Sequence, residues 1–154
     1  MEVQRQELMR SIGLLILRLG IGGYMLTHGW GKLQMMLAGD FAMFGDPIGL
    51  GSGLSLVLVV IGEFLCPLLV MIGLGTRFAV VPTIITMGVA AFVAHGSDPW
   101  TMERAAMLFM AKQSESWASK QPALMFLITF LALMFTGAGR FSVDELIRQR
   151  KQRT

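Results

Sequence analysis

The sequence has few charged residues and a single cysteine. Charged side chains make up 15% of the 154 residues, against ~25% in a typical soluble domain. Hydrophobic residues make up 54%, more than so short a chain could bury in a water-soluble core, because small domains bury the smallest share of their surface. These proportions exclude an ordinary soluble enzyme, a disordered segment and a nucleic-acid-binding module. They predict one membrane domain over residues 1–154.

Several motifs that would specify a chemistry are missing. With Cys66 alone, neither an intramolecular disulfide nor a C-x-x-C motif can form, which excludes a self-contained thiol–disulfide enzyme. The sequence has no flavin, haem or dinucleotide motif, and it lacks the inverted repeats of broken helices found in many transporters. No histidine spacing typical of a metal site is present, so no metal is predicted.

Four apolar segments indicate the fold. They cover residues 12–33, 53–75, 78–95 and 122–139, and a spanning helix needs ~20 apolar residues, with ~17 as the lower limit. The prediction is an all-α membrane protein, a bundle of four transmembrane helices. Two short interfacial helices are also expected. Asp98 is predicted to cap a helix from Pro99 to about Lys112, and Ser142 with Glu145 is predicted to start a basic helix near the C-terminus.

The distribution of basic residues predicts the orientation. With four spans, the termini and the 76–77 turn share one side, which holds eight of the Lys and Arg residues, whereas the other side holds four. Cytoplasmic loops carry the excess of Lys and Arg. We therefore expect a multi-pass protein of the cell (inner) membrane with both termini in the cytoplasm.

Two charged residues, Arg18 and Glu63, lie deep inside these segments. Glu63 falls near the middle of the second segment, where a charged side chain costs ~2.5–3.5 kcal/mol on insertion scales. It is therefore expected to be protonated or paired, and a role in proton handling is predicted. Arg18 lies roughly 9 Å inside the first segment. It either extends toward the headgroups or contacts Glu63, whose depth differs by only ~5–6 Å.

The two histidines are predicted to share one depth. At the helical rise, His28 and His95 both lie ~24–26 Å from the cytoplasmic boundary. Tyr24 and Lys32 share a helix face with His28, and Glu103 can reach the same level from the outer loop. We predict the following site residues: Glu63, His28 and His95 as catalytic, and Arg18, Tyr24, Lys32 and Glu103 as ligand-binding.

Such a layer of polar groups has three interpretations. Imidazoles at the water–lipid interface can bind and protonate a quinone or another carbonyl headgroup. Two histidines and a carboxylate could instead hold a metal, or each histidine could be a simple interfacial hydrogen-bonding residue.

Several motifs resemble the DoxX family. The stretch LRLGIGGYMLTHGWGKL at residues 17–33 is similar to the first-helix signature of that family. The segments IGEFLCPLL around Glu63, IGLGTRFA at 72–79, AAFVAH at 90–95, Glu103 and GAGRFSVD at 137–144 resemble it too. The resemblance covers about residues 12–144. Cys66 and Pro67 depart from it, because Gly-rich sequence is expected there in relatives.

The resemblance implies a four-helix membrane bundle, often described as an oxidoreductase and linked to quinone chemistry. On that basis we expect a redox-complex subunit that binds a quinone-like molecule and receives electrons from a partner protein or from the substrate. The matching polar residues are Arg18, His28, Lys32, Glu63, Arg77, His95, Glu103 and Arg140. Partners are then the lipid bilayer, a redox protein and a second copy of the chain. The alternatives are a small-molecule or lipid transporter gated by Arg18 and Glu63, and a scaffold without redox chemistry.

Overall fold

The computed structural model describes residues 1–153. Within them it has six helices and no strand, which confirms the all-α prediction. The helices are α1 (Glu2–Ala38), α2 (Ser52–Ile72), α3 (Thr76–Ala94), α4 (Met102–Met110), α5 (Gln121–Thr136) and α6 (Val143–Lys151).

Three of these helices are long and apolar enough to cross a membrane. They are α1 with 37 residues, α2 with 21 and α3 with 19. The fourth apolar helix, α5, has 16 residues, or about 24 Å at the helical rise, and is shorter than its predicted segment. In contrast, α1 extends beyond its predicted segment, residues 12–33, at both ends. At about 55 Å it exceeds the ~30 Å hydrocarbon layer. The chain is a multi-pass membrane protein.

Four helices, α1, α2, α3 and α5, pack around a common core. Its buried side chains include Met25 from α1, Val70 from α2, Val80 from α3 and Phe130 from α5, each fully buried. Large apolar side chains on the outside of the same helices are exposed, such as Phe78. This pattern is that of a bundle whose surroundings are as apolar as its core.

Helices α1 and α2 approach each other closely at two glycines. A Cβ atom on Gly22 would collide with the side chain of Met71, and one on Gly29 would lie 2.5 Å from the carbonyl oxygen of Glu63. Gly20 and Gly31 on the same helix face open space. Small residues are therefore used where the two backbones meet.

Alternating helix directions give the bundle two ends. The terminal end carries the start of α1, the turn between α2 and α3, and α6. The loop end carries the α1–α2 loop and α4. At the terminal end, the Asp144 carboxylate accepts hydrogen bonds from the amides of Gly75 (2.6 Å) and Thr76 (3.0 Å), so α6 is joined to the start of α3.

The structure confirms one predicted short helix and corrects the other. Ser142 Oγ accepts a hydrogen bond from the Glu145 amide at 3.2 Å, as a capping residue of α6. Asp98, however, does not cap α4. That helix begins at Met102, with Thr101 as its cap, because the Asp98 carboxylate contacts the ring of His95 instead.

The loop between α1 and α2 contains a turn of 3-10 helix, Phe41–Met43, and an anchoring carboxylate. Asp46 accepts hydrogen bonds from the amides of Leu50 (3.0 Å) and Gly51 (2.7 Å) and from the hydroxyl of Ser55 (2.7 Å). These bonds, the one from Ser55 first, hold the pKa of Asp46 below its ordinary value. The carboxylate thus fixes the start of α2.

Candidate functional site

The candidate site is built around Glu63, which lies in a distorted turn of α2. Residues Ile61–Leu65 form a π-helical turn. Pro67 has no amide hydrogen, so it cannot make the ordinary helical bond to the carbonyl of Glu63. The hydroxyl of Thr83 on α3 donates a hydrogen bond of 2.7 Å to the carbonyl of Gly62 in the same turn. Such turns often occur at functional sites, since they redirect side chains out of the regular helical pattern.

Lys32 is the cation that pairs with Glu63. Its ammonium group on α1 donates a hydrogen bond to Oε2 of Glu63. The carboxylate side chain is only 4% exposed, whereas that of Lys32 is 30% exposed. The pair therefore has one buried member and one member that reaches toward the surface.

The predicted contact between Arg18 and Glu63 is wrong. Arg18 is fully buried, but its guanidinium donates to main-chain carbonyls, at 3.3 Å to Val70, 3.4 Å to Met71 and 2.5 Å to Phe141. Two of these carbonyls belong to the last turn of α2, where a cation is favoured by the helix dipole. Arg18 thus joins three segments at the terminal end. The alternative of a transporter gated by Arg18 and Glu63 depended on this contact, which the structure does not contain.

The two histidines lie near the pair, on α1 and at the end of α3. The His28 ring packs edge-to-face on Phe126 of α5, with 5.4 Å between centroids. A second π-helical turn, Ala90–Ala94, ends at His95, whose Nδ1 lies 2.7 Å from Oδ2 of Asp98. This contact occupies Nδ1 of His95, so Nε2 is the ring nitrogen that remains available to another partner.

A cavity of about 370 Å³ brings these groups together. We call it the loop-end cavity; its polar lining includes His28, Lys32, Glu63, His95 and Ser119, and its apolar lining includes Met25, Met87, Trp117 and Phe126. The volume lies within the ~300–1,000 Å³ range of small-molecule sites.

Ser119 is an unsatisfied polar group on this cavity. Its side chain is buried, and its hydroxyl has no hydrogen-bond partner among residues 1–153. Buried polar groups almost always have a partner, so a ligand oxygen in the cavity is a natural one. The next residue, Lys120, donates a hydrogen bond of 2.7 Å to the carbonyl of Gly96, which ties this segment to the end of α3.

The predicted site residues therefore separate into two groups. His28, Lys32, Glu63 and His95 line one cavity. The others do not: Tyr24 is 72% exposed, Glu103 is an exposed residue of α4, and Arg18 lies at the terminal end. Tyr24 lies on the same side of α1 as His28, but its side chain is exposed and does not line the cavity.

Asp98 and Ser119 are polar residues of the site that were not predicted from the sequence. Asp98 contacts the ring of His95. The sequence signal for this contact was the spacing of three residues between them, but Asp98 also fitted the pattern of a helix cap. Ser119 gave no signal, because an isolated serine in a polar loop has no distinctive pattern. Of the residues described, no group of three or more His, Cys, Asp or Glu side chains could hold a metal ion.

The fold and the cavity define a multi-pass helical membrane protein with a polar site inside its bundle. The profile of the DoxX family matches residues 13–96. This range is more than half of the chain, and the chain belongs to that family. It contains Arg18, His28, Lys32, Glu63 and His95, whereas Glu103 and the GAGRFSVD segment lie outside it. Comparison with curated proteins and with solved structures gives no match.

Proposed function

We propose that this DoxX-family protein binds a quinone-like molecule in the loop-end cavity and exchanges protons with its carbonyl oxygens. The observation that carries the proposal is the cavity itself. It places an ion pair, two imidazoles and an unsatisfied hydroxyl around a space of about 370 Å³. Apolar walls with a few convergent polar groups are the usual design of such sites.

The polar groups divide into those that orient the ring and those that carry protons. The Ser119 hydroxyl and the Lys32 ammonium group are donors that suit a carbonyl oxygen. His95, held by Asp98 at Nδ1, offers Nε2 to a second oxygen. Glu63 also lines the cavity beside Lys32, and its carboxylate is proposed to accept a proton from the reduced ring as that ring is oxidised and to return it on reduction. His28 lies against Phe126 and takes part as a further donor.

Electrons are expected from a redox partner protein or from the substrate itself. Reduction of a quinone takes two electrons and two protons, and the cavity residues account only for the protons. The sequence has no flavin, haem or dinucleotide motif. The chain is therefore proposed as the quinone-site subunit of a redox complex.

The proposal includes a membrane orientation and a fourth span. We infer that α5 crosses the bilayer with the other three helices, because it packs against α3 and its ends lie near the loop-end cavity and Arg77. The excess of Lys and Arg at the terminal end supports a cytoplasmic position for that end. The loop-end cavity would then lie in the outer half of the membrane.

Binding of a short-chain benzoquinone to the detergent-purified full chain tests this function. We expect saturable binding by isothermal titration calorimetry, and a quinone among the co-extracted small molecules by mass spectrometry. Ala118→Phe places a ring at the cavity wall and should abolish binding. Ala111→Phe, at an exposed position outside the lining, is the matched control. Equal binding by both variants would refute the site. Absence of any ligand together with tight retention of a protein partner would favour the scaffold.

A further inference from the structure

A second cavity lies at the terminal end, on the far side of the bundle from the proposed quinone site. Its volume is about 790 Å³. We call it the terminal-end cavity; it lies between the first part of α1, the start of α3, the turn after α5, and α6. Four arginines line it: Arg10, Arg77, Arg140 and Arg148.

Two of the three acidic residues on this cavity are already engaged. Asp144 caps α3 through the amides of Gly75 and Thr76. Glu145 binds Arg148 through two hydrogen bonds of 2.8 and 2.9 Å, and this guanidinium is the main reason that the pKa of Glu145 lies below its ordinary value. The third acid, Glu7, lies on α1 at the rim.

After these pairings, three of the four arginines on the cavity have no carboxylate partner in the described part of the chain. The guanidinium groups of Arg10 and Arg140 make no hydrogen bond or salt bridge within residues 1–153; Arg140 has only a longer-range attraction to Glu145. Arg77 donates to a single acceptor, the carbonyl of Phe135 at 3.3 Å. The turn that carries Arg140 is fixed to α1, because its amide donates to the Ser11 hydroxyl at 3.3 Å. The backbone of Arg140 is therefore fixed beside the cavity, whereas the exposed guanidinium groups of Arg10 and Arg140 pair with no carboxylate among the described residues.

A buried hydroxyl in the same cavity also lacks a partner. Thr76 is 1% exposed, and its Oγ1 atom has no hydrogen bond within the described residues. Its amide is used by Asp144, so only the side chain is unsatisfied. A buried polar atom without a partner is rare in proteins. It indicates an acceptor that the chain itself does not supply.

An exposed apolar side chain lies at the rim of this cavity. Phe78 lines the cavity and its side chain is 84% exposed, whereas Leu14, also in the lining, is buried in the core. Leu146 on α6, one of the helices that border the cavity, is also exposed. A charged recess beside exposed apolar side chains matches the headgroup region of a membrane.

We propose that the terminal-end cavity binds a phosphate group, supplied by an anionic phospholipid of the adjacent leaflet or by a soluble phosphate compound. Guanidinium groups bind phosphate oxygens through paired, charge-assisted hydrogen bonds. Basic pockets between membrane helices at this level bind lipid headgroups. This site is independent of the proposed quinone function.

Native mass spectrometry of the detergent-purified full chain with phosphatidylglycerol tests the proposal. The double variant Arg10→Gln with Arg140→Gln should lower the lipid affinity about tenfold or more. The matched control, Arg5→Gln with Arg150→Gln, removes the same charge from the same end outside the lining and should change it less than about twofold. Unchanged affinity in the double variant, or an equal loss in the control, overturns the site. Competition by millimolar inorganic phosphate would identify a soluble ligand, and its failure a lipid.

Thr76→Val gives a second, independent readout. Without lipid, this variant should melt at the same or a higher temperature than the native chain, since it removes an unsatisfied hydroxyl. With saturating phosphatidylglycerol, it should lose part of the lipid-induced rise in melting temperature. A full lipid-induced rise in the variant would contradict the proposed contact between Oγ1 and a phosphate oxygen.

Discussion

At the level of single residues, the polar interior depends on the pairing of Lys32 with Glu63. Removing one partner of a buried pair leaves the other unsatisfied, at a cost of about 1–3 kcal/mol. Lys32→Met should therefore lower the melting temperature in detergent. Glu63→Gln should recover part of that loss in the double variant, with a coupling of about 1 kcal/mol. Simple additivity of the two changes would show that the pair does not form.

Arg18 provides a control for this double-mutant cycle of Lys32 and Glu63. Arg18 and Glu63 share no hydrogen-bond partner in the structure, and changes at residues without shared partners add within about 0.5 kcal/mol. Arg18→Ala should destabilise the fold by leaving buried carbonyls unsatisfied, and Glu63→Gln should not relieve it.

At the level of helices, the close contact of α1 with α2 positions Glu63. Gly29→Ala would place a methyl group 2.5 Å from the Glu63 carbonyl oxygen and 3.0 Å from Cβ of Phe64. The helices must then separate, which we expect to cost about 1–3 kcal/mol. Gly31→Ala on the same helix meets nothing within 4 Å and should be neutral or stabilising. Thermal unfolding of the two variants compares them directly; equal melting temperatures would contradict the packing described.

The start of α2 should carry an acid-sensitive share of the stability. The pKa of Asp46 is lowered from its ordinary value of 3.8, so the folded state favours the carboxylate. The contribution of this carboxylate to the free energy of unfolding is complete above pH 3.8 and is lost as the pH falls through the lowered pKa of the folded state. Asp46→Asn should reduce the dependence of melting temperature on pH in that acidic window. Asp40→Asn, whose carboxylate makes no capping bond, should leave it unchanged, and the same profile for both variants would refute the role of Asp46.

At the level of the whole molecule, the account predicts both termini on the cytoplasmic side. Single cysteines at Gln113 and Arg153, in a Cys66→Ala background, can be labelled in intact cells with an impermeant maleimide. We expect labelling at position 113 and none at position 153 until the cells are opened. The reverse pattern would contradict the orientation inferred from the basic residues.

The sequence predicts local features of this protein better than pairings across helices. Periods of apolar residues and capping residues are local, and they predicted the helices and the start of α6. The helical rise alone predicted a common depth for His28 and His95, and both side chains line the loop-end cavity. The partner of Glu63 could not be predicted in this way, because the π-helical turn at Ile61–Leu65 and the rotation of α1 decide which cation the carboxylate contacts. Both are set by packing, which a single sequence does not reveal.

The loop-end cavity is the central claim, and photoaffinity labelling with an azido-benzoquinone tests it most directly. After irradiation of the detergent-purified chain, peptide mapping should locate the label on the segment 116–123, which lines the cavity with Trp117 and Ser119, or on α1 near His28. An excess of unmodified quinone should suppress this labelling. Label that resists such competition, or that falls on the exposed outer faces of α1 and α5 or at the terminal end, would contradict the account.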